Sequence, residues 1–158
     1  MDEPISYSPV VQGKDPLKPT LTTLQKAEFI RGVDIFSHAT VEELFRLASI
    51  AQEVRFAPQE VIFREGDVGD ALYPIFRGQV ELSCNEKGMT EVAGPGQAFG
   101  LYSVLTREPR YATAKAVEDT LALRIGGEDL YTLLSNNMEI VVSIFKHFAK
   151  TLGLSPRR

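Results

Sequence analysis

Hydrophobic and polar positions follow two different periods along this chain, and the helical period comes first. Residues 22–31 carry apolar residues on one side, and Gly32 ends the predicted helix. A second helix begins at Thr40, because Thr40 and Glu43 have the spacing of a capping box. The predicted apolar sides are Leu24, Ala27, Phe29 and Ile30 in the first helix, and Leu44, Leu47, Ala48 and Ala51 in the second.

From Ala51 onward the period becomes two, which is typical of β-strands. Short alternating apolar runs are separated by turn residues, among them the glycine turn Gly94-Pro95-Gly96. Many short strands with frequent glycine turns favour a sandwich or a barrel. The clearest predicted strands cover residues 54–56, 61–63, 72–76, 80–84 and 121–125.

The helical period returns near Gly126 and Gly127. We predict one helix over residues 128–134 and a longer one that Asn136 or Asn137 caps. The chain therefore runs from helices through a set of strands and back to helices. The predicted apolar side of the last helix holds Ile140, Val141, Ile144, Phe145, Phe148 and Leu152.

The length of 158 residues suits one domain with a real core. Residues 1–20 carry four prolines and no period, so we predict an extended segment or linker there. We predict a single domain over 21–154 and a tail over 155–158.

No stretch is apolar enough to span a bilayer, and the acidic, proline-bearing start is unlike a secretory signal. We therefore expect a cytoplasmic protein with no membrane segment in this chain.

Composition and motifs argue against several classes of function. The net charge of -4 disfavours nucleic-acid binding. The two histidines, His38 and His147, lie outside the predicted strands, so no metal site is expected. The single cysteine, Cys84, is interpreted as a small buried residue. Neither a Gly-x-Ser-x-Gly motif nor a P-loop is present, and we expect no enzyme activity and no cofactor.

One segment has the composition of an anion site. A glycine-rich turn leads into a short apolar stretch after Phe99, and the amino terminus of a helix there would offer free amides. Arg110 follows just before another predicted strand, and its planar guanidinium suits phosphate. An exposed arginine beside a loop is the alternative that these residues leave open.

The span of residues 36–152 resembles the cyclic-nucleotide-binding domain family. The matching pieces are residues 60–73, 78–80, 94–100 and 109–113, whose order and glycine positions agree with the family. The resemblance implies an α+β, mainly β fold: an eight-stranded β-roll, or jelly-roll barrel, with N-terminal and C-terminal helices. It also implies a pocket for cAMP or cGMP as the small-molecule partner.

The family's site residues are carried over position by position. Arg110 matches the arginine that pairs with the cyclic phosphate, and the amides of Gly100, Ser103 and Ala112 would assist it. The resemblance implies eight ligand-binding residues: Phe99, Gly100, Leu101, Tyr102, Ser103, Arg110, Tyr111 and Ala112. The helix after the roll would supply an apolar lid, for which the candidates are Ile144, Phe145 and Phe148.

Two positions depart from the family pattern. Leu101 stands where the family has a glutamate that accepts from the ribose 2′-hydroxyl. A hydrogen bond to a charged group contributes ~1.5–3 kcal/mol, so its loss corresponds to an affinity about 10- to 100-fold lower. Tyr111 stands where the family has a small or hydroxyl residue, and it could stack on a purine, crowd the pocket or point to solvent.

These departures leave two functions open. The first is a cyclic-nucleotide sensor that recognises cAMP through Arg110 with weakened ribose recognition. The second is a degenerate module of the same fold that binds no cyclic nucleotide and serves in docking or regulation. Both need an output domain or partner protein outside this chain, and a homodimer fits either. The residues after the last predicted helix are too few for a helix-turn-helix, so we expect no nucleic-acid binding.

Overall fold

A computed structural model describes residues 21–86 and 88–153. The predicted extended segment over residues 1–20 and the predicted tail over 155–158 lie outside the described residues. The assignment of 21–154 to one domain stays a prediction.

Two helices precede the strands. Helix α1 spans Thr23–Arg31, a single 3₁₀ turn covers Asp34–Phe36, and helix α2 spans Val41–Ile50. The predicted capping box at Thr40 is present, since its hydroxyl accepts from the amide of Glu43. Two predictions about apolar faces were wrong: Leu24 is exposed, because α1 buries only a narrow stripe, and Ala51 begins the first strand.

The described residues form eight strands in two antiparallel sheets, which confirms the predicted α+β, mainly β roll. The strands are β1 Ala51–Phe56, β2 Val61–Phe63, β3 Ala71–Arg77, β4 Val80–Cys84, β5 Met89–Ala93, β6 Ala98–Phe99, β7 Thr113–Ala116 and β8 Thr120–Gly126. The two sheets have the strand orders β1-β8-β3-β6 and β2-β7-β4-β5.

Strands β5 and β6 had no clear signal in the sequence. In β5 only Ala93 is buried, so the strand shows no alternation of apolar and polar residues. Strand β6 has two residues and pairs with β3 opposite Tyr73 and Pro74. Both strands are therefore defined by their partners in the sheet rather than by their own sequence.

Three helices complete the fold: α3 Leu101–Thr106 within the strand region, then α4 Gly127–Asn136 and α5 Met138–Thr151 after it. Helix α5 buries Ile140, Ser143 and Ile144, which lie three and four residues apart on one face. The predicted apolar side was wrong for Phe145 and Leu152, which are 66% and 71% exposed. Phe145 follows Ile144 directly and so points about 100° away around the helix.

The buried residues form two clusters that meet at strand β8. The helical cluster includes Leu123 and Ile125 of β8 together with residues of α1, α2, α4 and α5. The barrel cluster includes Ala122 of β8 and the inward residues of the other strands, Cys84 among them as predicted. Because successive residues of a strand face opposite sides, β8 contributes to the barrel core and to the helical core.

In the described part of the chain, no helix is long and apolar enough to cross a bilayer.

Candidate functional site

A cavity of about 490 Å³ lies between β6, helix α3, the segment before β7 and helix α5. All eight predicted ligand-binding residues line it: Phe99, Gly100, Leu101, Tyr102, Ser103, Arg110, Tyr111 and Ala112. Among the described residues, no group of three or more His, Cys, Asp or Glu side chains is arranged to hold a metal ion. The cavity lining combines the buried cation of Arg110 with the carboxylates of Asp34 and Glu91, with His147, and with aromatic and aliphatic side chains.

The three lid candidates are placed differently by helix α5. Phe148 lines the cavity, whereas Ile144 lies in the helical core and Phe145 is exposed outside the cavity lining. His147 also lines the cavity, and sequence reasoning gave it no role. No local signal marked it, because successive helix residues point about 100° apart and its place at the cavity depends on how α5 packs.

Arg110 lines the cavity and is held between two backbone carbonyl groups. Its Nη1 donates to the Gly100 oxygen at 2.8 Å, and its Nη2 donates to the Ala71 oxygen at 2.7 Å. The guanidinium carbon lies 3.9 Å from the centroid of the Phe63 ring, within cation–π range. The residue is only 3% exposed, so its orientation is fixed by the fold rather than by solvent.

The charge of Arg110 is incompletely compensated. Burial lowers the pKa of the guanidinium, and Asp70, whose carboxylate is 4.0 Å away, acts against that shift. Asp70 is largely exposed and also lies 3.4 Å from Arg124, so one solvated carboxylate faces two arginines. The Nε atom of Arg110 is buried without a hydrogen-bond partner in the described residues. A buried donor of this kind favours an anion beside it.

Two glycines make close contacts around α3, one with Arg110 and one with α3 itself. Gly100 precedes α3 with φ of +92°, and a Cβ on it would stand 2.8 Å from Nη1 of Arg110. Gly69 approaches Ser103 so closely that a Cβ would lie 2.2 Å from the serine Cβ. The Ser103 hydroxyl donates to the Pro109 carbonyl at 3.2 Å, which ties α3 to the arginine loop. Glycine at both positions is thus required by the geometry of the site.

An aromatic cluster forms the wall behind the arginine. Tyr73 stacks on Phe99 with ring centroids 5.2 Å apart, and Phe63 lies 5.9 Å from Phe99. Burial raises the pKa of Tyr73, while Arg124, which is hydrogen-bonded to it, works in the opposite direction. The phenol is therefore neutral at physiological pH. Sequence reasoning gave no site role to Phe63, although it lies within the segment that matches the family.

Leu101 closes the cavity on the side of the helical core. It is 8% exposed and belongs to the helical cluster together with Ile140 and Ile144 of α5. A leucine side chain offers neither a hydrogen-bond donor nor an acceptor. Position 101 therefore gives the cavity an apolar wall and connects it to the C-terminal helix.

Tyr102 and Tyr111 stand at the more exposed part of the lining. Their rings meet edge to face, with centroids 5.6 Å apart and an interplanar angle of 88°. The Tyr102 hydroxyl donates to Oε1 of Glu108 at 2.7 Å, and this hydrogen bond raises the pKa of the Tyr102 phenol. Burial raises the pKa of Tyr111, with Glu91 adding to the effect. Both phenols are thus neutral near pH 7.

Similarity to known proteins agrees with this geometry. The model of the family described as "Cyclic nucleotide-binding domain" matches residues 53–137. A protein of Rhodopseudomonas palustris whose name describes a potassium channel protein is 35% identical over 114 residues, covering 71% of this chain and 28% of that protein. The cyclic AMP receptor protein of Thermus thermophilus is 35% identical over 109 residues, covering 66% of this chain and 50% of that protein. The chain thus spans half or less of the length of these two relatives.

A solved structure supports the same assignment. The N-terminal domain of a transcriptional regulator from Streptomyces coelicolor A3(2) superimposes with a TM-score of 0.66 at 29% identity. That match covers 78% of this chain and 90% of the other. The matched family segment includes both the glycine turn and Arg110. The chain therefore belongs to the cyclic nucleotide-binding domain family.

Proposed function

We propose that this domain is a regulatory sensor module that binds a cyclic nucleotide, with cAMP as the first candidate, in the cavity beside Arg110. One observation carries the proposal: a buried guanidinium lines the cavity and keeps a buried Nε without a partner in the described residues. A phosphate oxygen beside it would satisfy that donor and compensate the charge. The amides at the start of α3, next to Gly100, would add further donors.

Ribose recognition is weak in this proposal. Leu101 lines the cavity at the position that matches the family's glutamate, and it presents carbon where that carboxylate would accept a hydrogen bond. We expect binding about 10- to 100-fold weaker than a site with the carboxylate would give. The phosphate and the base would then provide most of the affinity.

A second candidate function is favoured by the two carbonyl groups on Arg110. Hydrogen bonds from Nη1 and Nη2 to the Gly100 and Ala71 carbonyl groups already hold both terminal nitrogens of the guanidinium. A domain with this internal arrangement could serve as a degenerate module that binds no cyclic nucleotide and acts in docking or regulation of a larger protein. The two candidates differ in one measurable property, which is nucleotide affinity.

The output is proposed to lie outside this chain. The two relatives described above carry the domain in a potassium channel protein and in a cyclic AMP receptor protein, according to their names. We propose that this domain likewise regulates an attached domain or a partner protein in the cytoplasm, without enzymatic activity and without binding nucleic acid itself. A homodimer is compatible with this role.

Calorimetric titration of cAMP and cGMP tests the proposal. We expect the wild-type protein to bind cAMP weakly, Leu101→Glu to tighten binding, and Arg110→Ala to remove it. Leu101→Gln is a second variant that supplies an acceptor without burying a charge. Arg64→Ala removes an exposed arginine outside the cavity lining and should change little.

Two other outcomes of this titration would contradict the proposal. If the wild type, Leu101→Glu and Leu101→Gln show no heat and no shift of melting temperature at millimolar cAMP or cGMP, the sensor function is wrong and the degenerate module is favoured. If Arg110→Ala binds as well as the wild type, the phosphate site is wrongly assigned.

A further inference from the structure

Among the described lining residues, His147 belongs to the one residue type that changes its charge between about pH 5 and 8. The chain has two histidines, and the other, His38, is exposed and lies outside the cavity lining. His147 is half-buried on helix α5, and its ring centroid lies 5.7 Å from that of Phe148, which lines the same cavity. Protonation of His147 would therefore add a second positive charge to the cavity that holds Arg110.

The charged groups of the described lining carry an excess of negative charge while His147 is neutral. The 3₁₀ turn contributes the Asp34 carboxylate, strand β5 contributes the Glu91 carboxylate, and Arg110 contributes the guanidinium. Two negative charges thus face one positive charge. When His147 gains a proton, the positive and negative charges of the lining balance.

The neighbouring titratable groups do not offset this change. Tyr102 and Tyr111 also line the cavity, but the pKa of each phenol is raised, so both stay neutral. Helix α4 packs against α5 and contributes no residue to the described lining. Lys146, the charged neighbour of His147 on its own helix, is exposed and also lies outside the lining.

The 3₁₀ turn makes the charge balance relevant to an anionic ligand. It packs against helix α5, and Asp34 within it is half-buried, with Oδ1 accepting from the Ile35 amide at 2.7 Å. Charges in a partly buried cavity interact more strongly than charges in bulk water. An anion beside Arg110 would be repelled by the carboxylates of the lining, and a protonated His147 would reduce that repulsion.

We propose that His147 makes ligand binding at this cavity depend on pH, with the protonated imidazole tightening the binding of an anionic nucleotide. The inference rests on the proposed nucleotide-binding function and adds the regulation of that site by protons. Because the two binding events are linked, nucleotide binding must also promote uptake of a proton by the protein. The imidazole acts through its charge, so the effect should be the same for cAMP and cGMP.

Calorimetric titration of cAMP and cGMP at several pH values between about 5.5 and 8 tests the inference. Each cyclic phosphodiester keeps a single negative charge over this interval, so a change in affinity reports on the protein. The wild type should bind both nucleotides about 3- to 10-fold more weakly at the upper end of the interval than at the lower end. Titration in two buffers of different ionisation enthalpy should show proton uptake on binding.

Two variants separate the contributions of the two histidines. His147→Gln keeps a polar side chain without the titrating imidazole, so it should remove both the pH dependence and the proton uptake. His38→Gln is the matched control, and it should keep both. Melting temperatures at the same pH values should show that all three proteins remain folded throughout the interval.

Failure of this inference can be told apart from failure of the proposed function. If the wild type binds neither nucleotide at any of these pH values, the proposed function and the pH dependence that rests on it are both overturned. If the nucleotides bind with an affinity that does not change with pH, or if His147→Gln keeps the pH dependence, the role of His147 is overturned while nucleotide binding stands. A pH dependence seen with only one of the two nucleotides would indicate contact with the base and overturn the charge mechanism.

Discussion

Nη1 of Arg110 donates a hydrogen bond of 2.8 Å to the carbonyl oxygen of Gly100, and the φ of that glycine is +92°. The positive φ places the carbonyl where the guanidinium can reach it and leaves no room for a side chain. The turn before α3 and the buried cation therefore depend on each other. The glycine is required by its contact with the arginine as well as by its own backbone.

Replacing Gly100 with alanine should destabilise the protein and displace Arg110. The backbone conformation alone costs a non-glycine residue about 1–3 kcal/mol. The new Cβ would also stand 2.8 Å from Nη1 of Arg110 and 3.0 Å from the Ala71 oxygen. Urea unfolding would give the loss of stability, and titration with cAMP would show weaker binding than in the wild type.

The matched control for this change is Gly66→Ala. Gly66 has almost the same φ, +93°, but a Cβ on it meets nothing within 4 Å. Gly66→Ala therefore measures the backbone cost, and the extra loss in Gly100→Ala measures the close approach of the new Cβ to Arg110 and to the Ala71 oxygen. Equal losses in the two variants would show that these contacts do not constrain the turn.

Sequence patterns predicted those helices and strands whose buried residues recur with a helical or strand period. The capping box at Thr40 and the alternation around Cys84 are local signals, and the structure contains both features. The β-roll itself was predicted from its glycine turns and from resemblance to a family, since short strands alone fit several barrels. Strand β5 was missed because its exposed residues leave no period to detect.

Eight residues predicted to bind a ligand line one cavity, and their role as ligand-binding residues stays a prediction, whereas the contacts among the lining residues were not predicted. The glycine turn and Arg110 were found through family spacing, and the structure brings them to one cavity. Contacts of Arg110 with the Ala71 carbonyl and the Phe63 ring join residues distant in the sequence, so no local pattern reports them. The position of His147 at the cavity likewise depends on how α5 packs, which helical spacing leaves undetermined.

Tyr131→Phe should loosen the attachment of α3 to α4. The Tyr131 hydroxyl lies 2.5 Å from the Val104 oxygen and 3.0 Å from the Leu105 oxygen, and the Arg107 guanidinium carbon lies 4.1 Å from the centroid of the Tyr131 ring. Loss of the hydroxyl leaves two carbonyl groups of α3 without this donor and should cost about 1–2 kcal/mol. Urea unfolding measures the loss, and amide exchange should increase in α3.

Tyr102→Phe is the matched control for this hydroxyl deletion. The Tyr102 hydroxyl donates to the exposed Glu108 carboxylate, where water can replace it. We expect no measurable change of stability in this variant. A stability loss in Tyr102→Phe as large as that in Tyr131→Phe would contradict the assignment of a structural role to Tyr131 alone.

Tyr73 should make the stability of the protein fall at alkaline pH. Burial raises its pKa in the folded state above the ordinary value, whereas in the unfolded chain the phenol ionises at about pH 10. The folded state therefore holds this proton more tightly. Its contribution to stability is complete below about pH 10 and is lost as pH rises through the folded-state pKa.

Urea unfolding of the wild type and Tyr73→Phe between about pH 9 and 11 tests this expectation. The variant cannot ionise at position 73 in either state, so its stability should fall less steeply over that interval. The comparison cancels the other groups that titrate there, which are present in both proteins. Parallel decreases in the two proteins would show that Tyr73 ionises as readily in the folded state as in the unfolded one.

Truncation of the neighbouring residues Ile144 and Phe145 of α5 should change the free energy of unfolding by very different amounts. Ile144 is 3% exposed in the helical cluster, and Ile144→Ala should lower the free energy of unfolding by about 2–5 kcal/mol. Phe145 is 66% exposed, so Phe145→Ala should leave that free energy nearly unchanged although it removes a larger side chain. Urea unfolding of both variants gives the comparison. A large loss in Phe145→Ala would mean that this face of α5 is covered in solution, and sedimentation of the wild type would then show whether a second copy covers it.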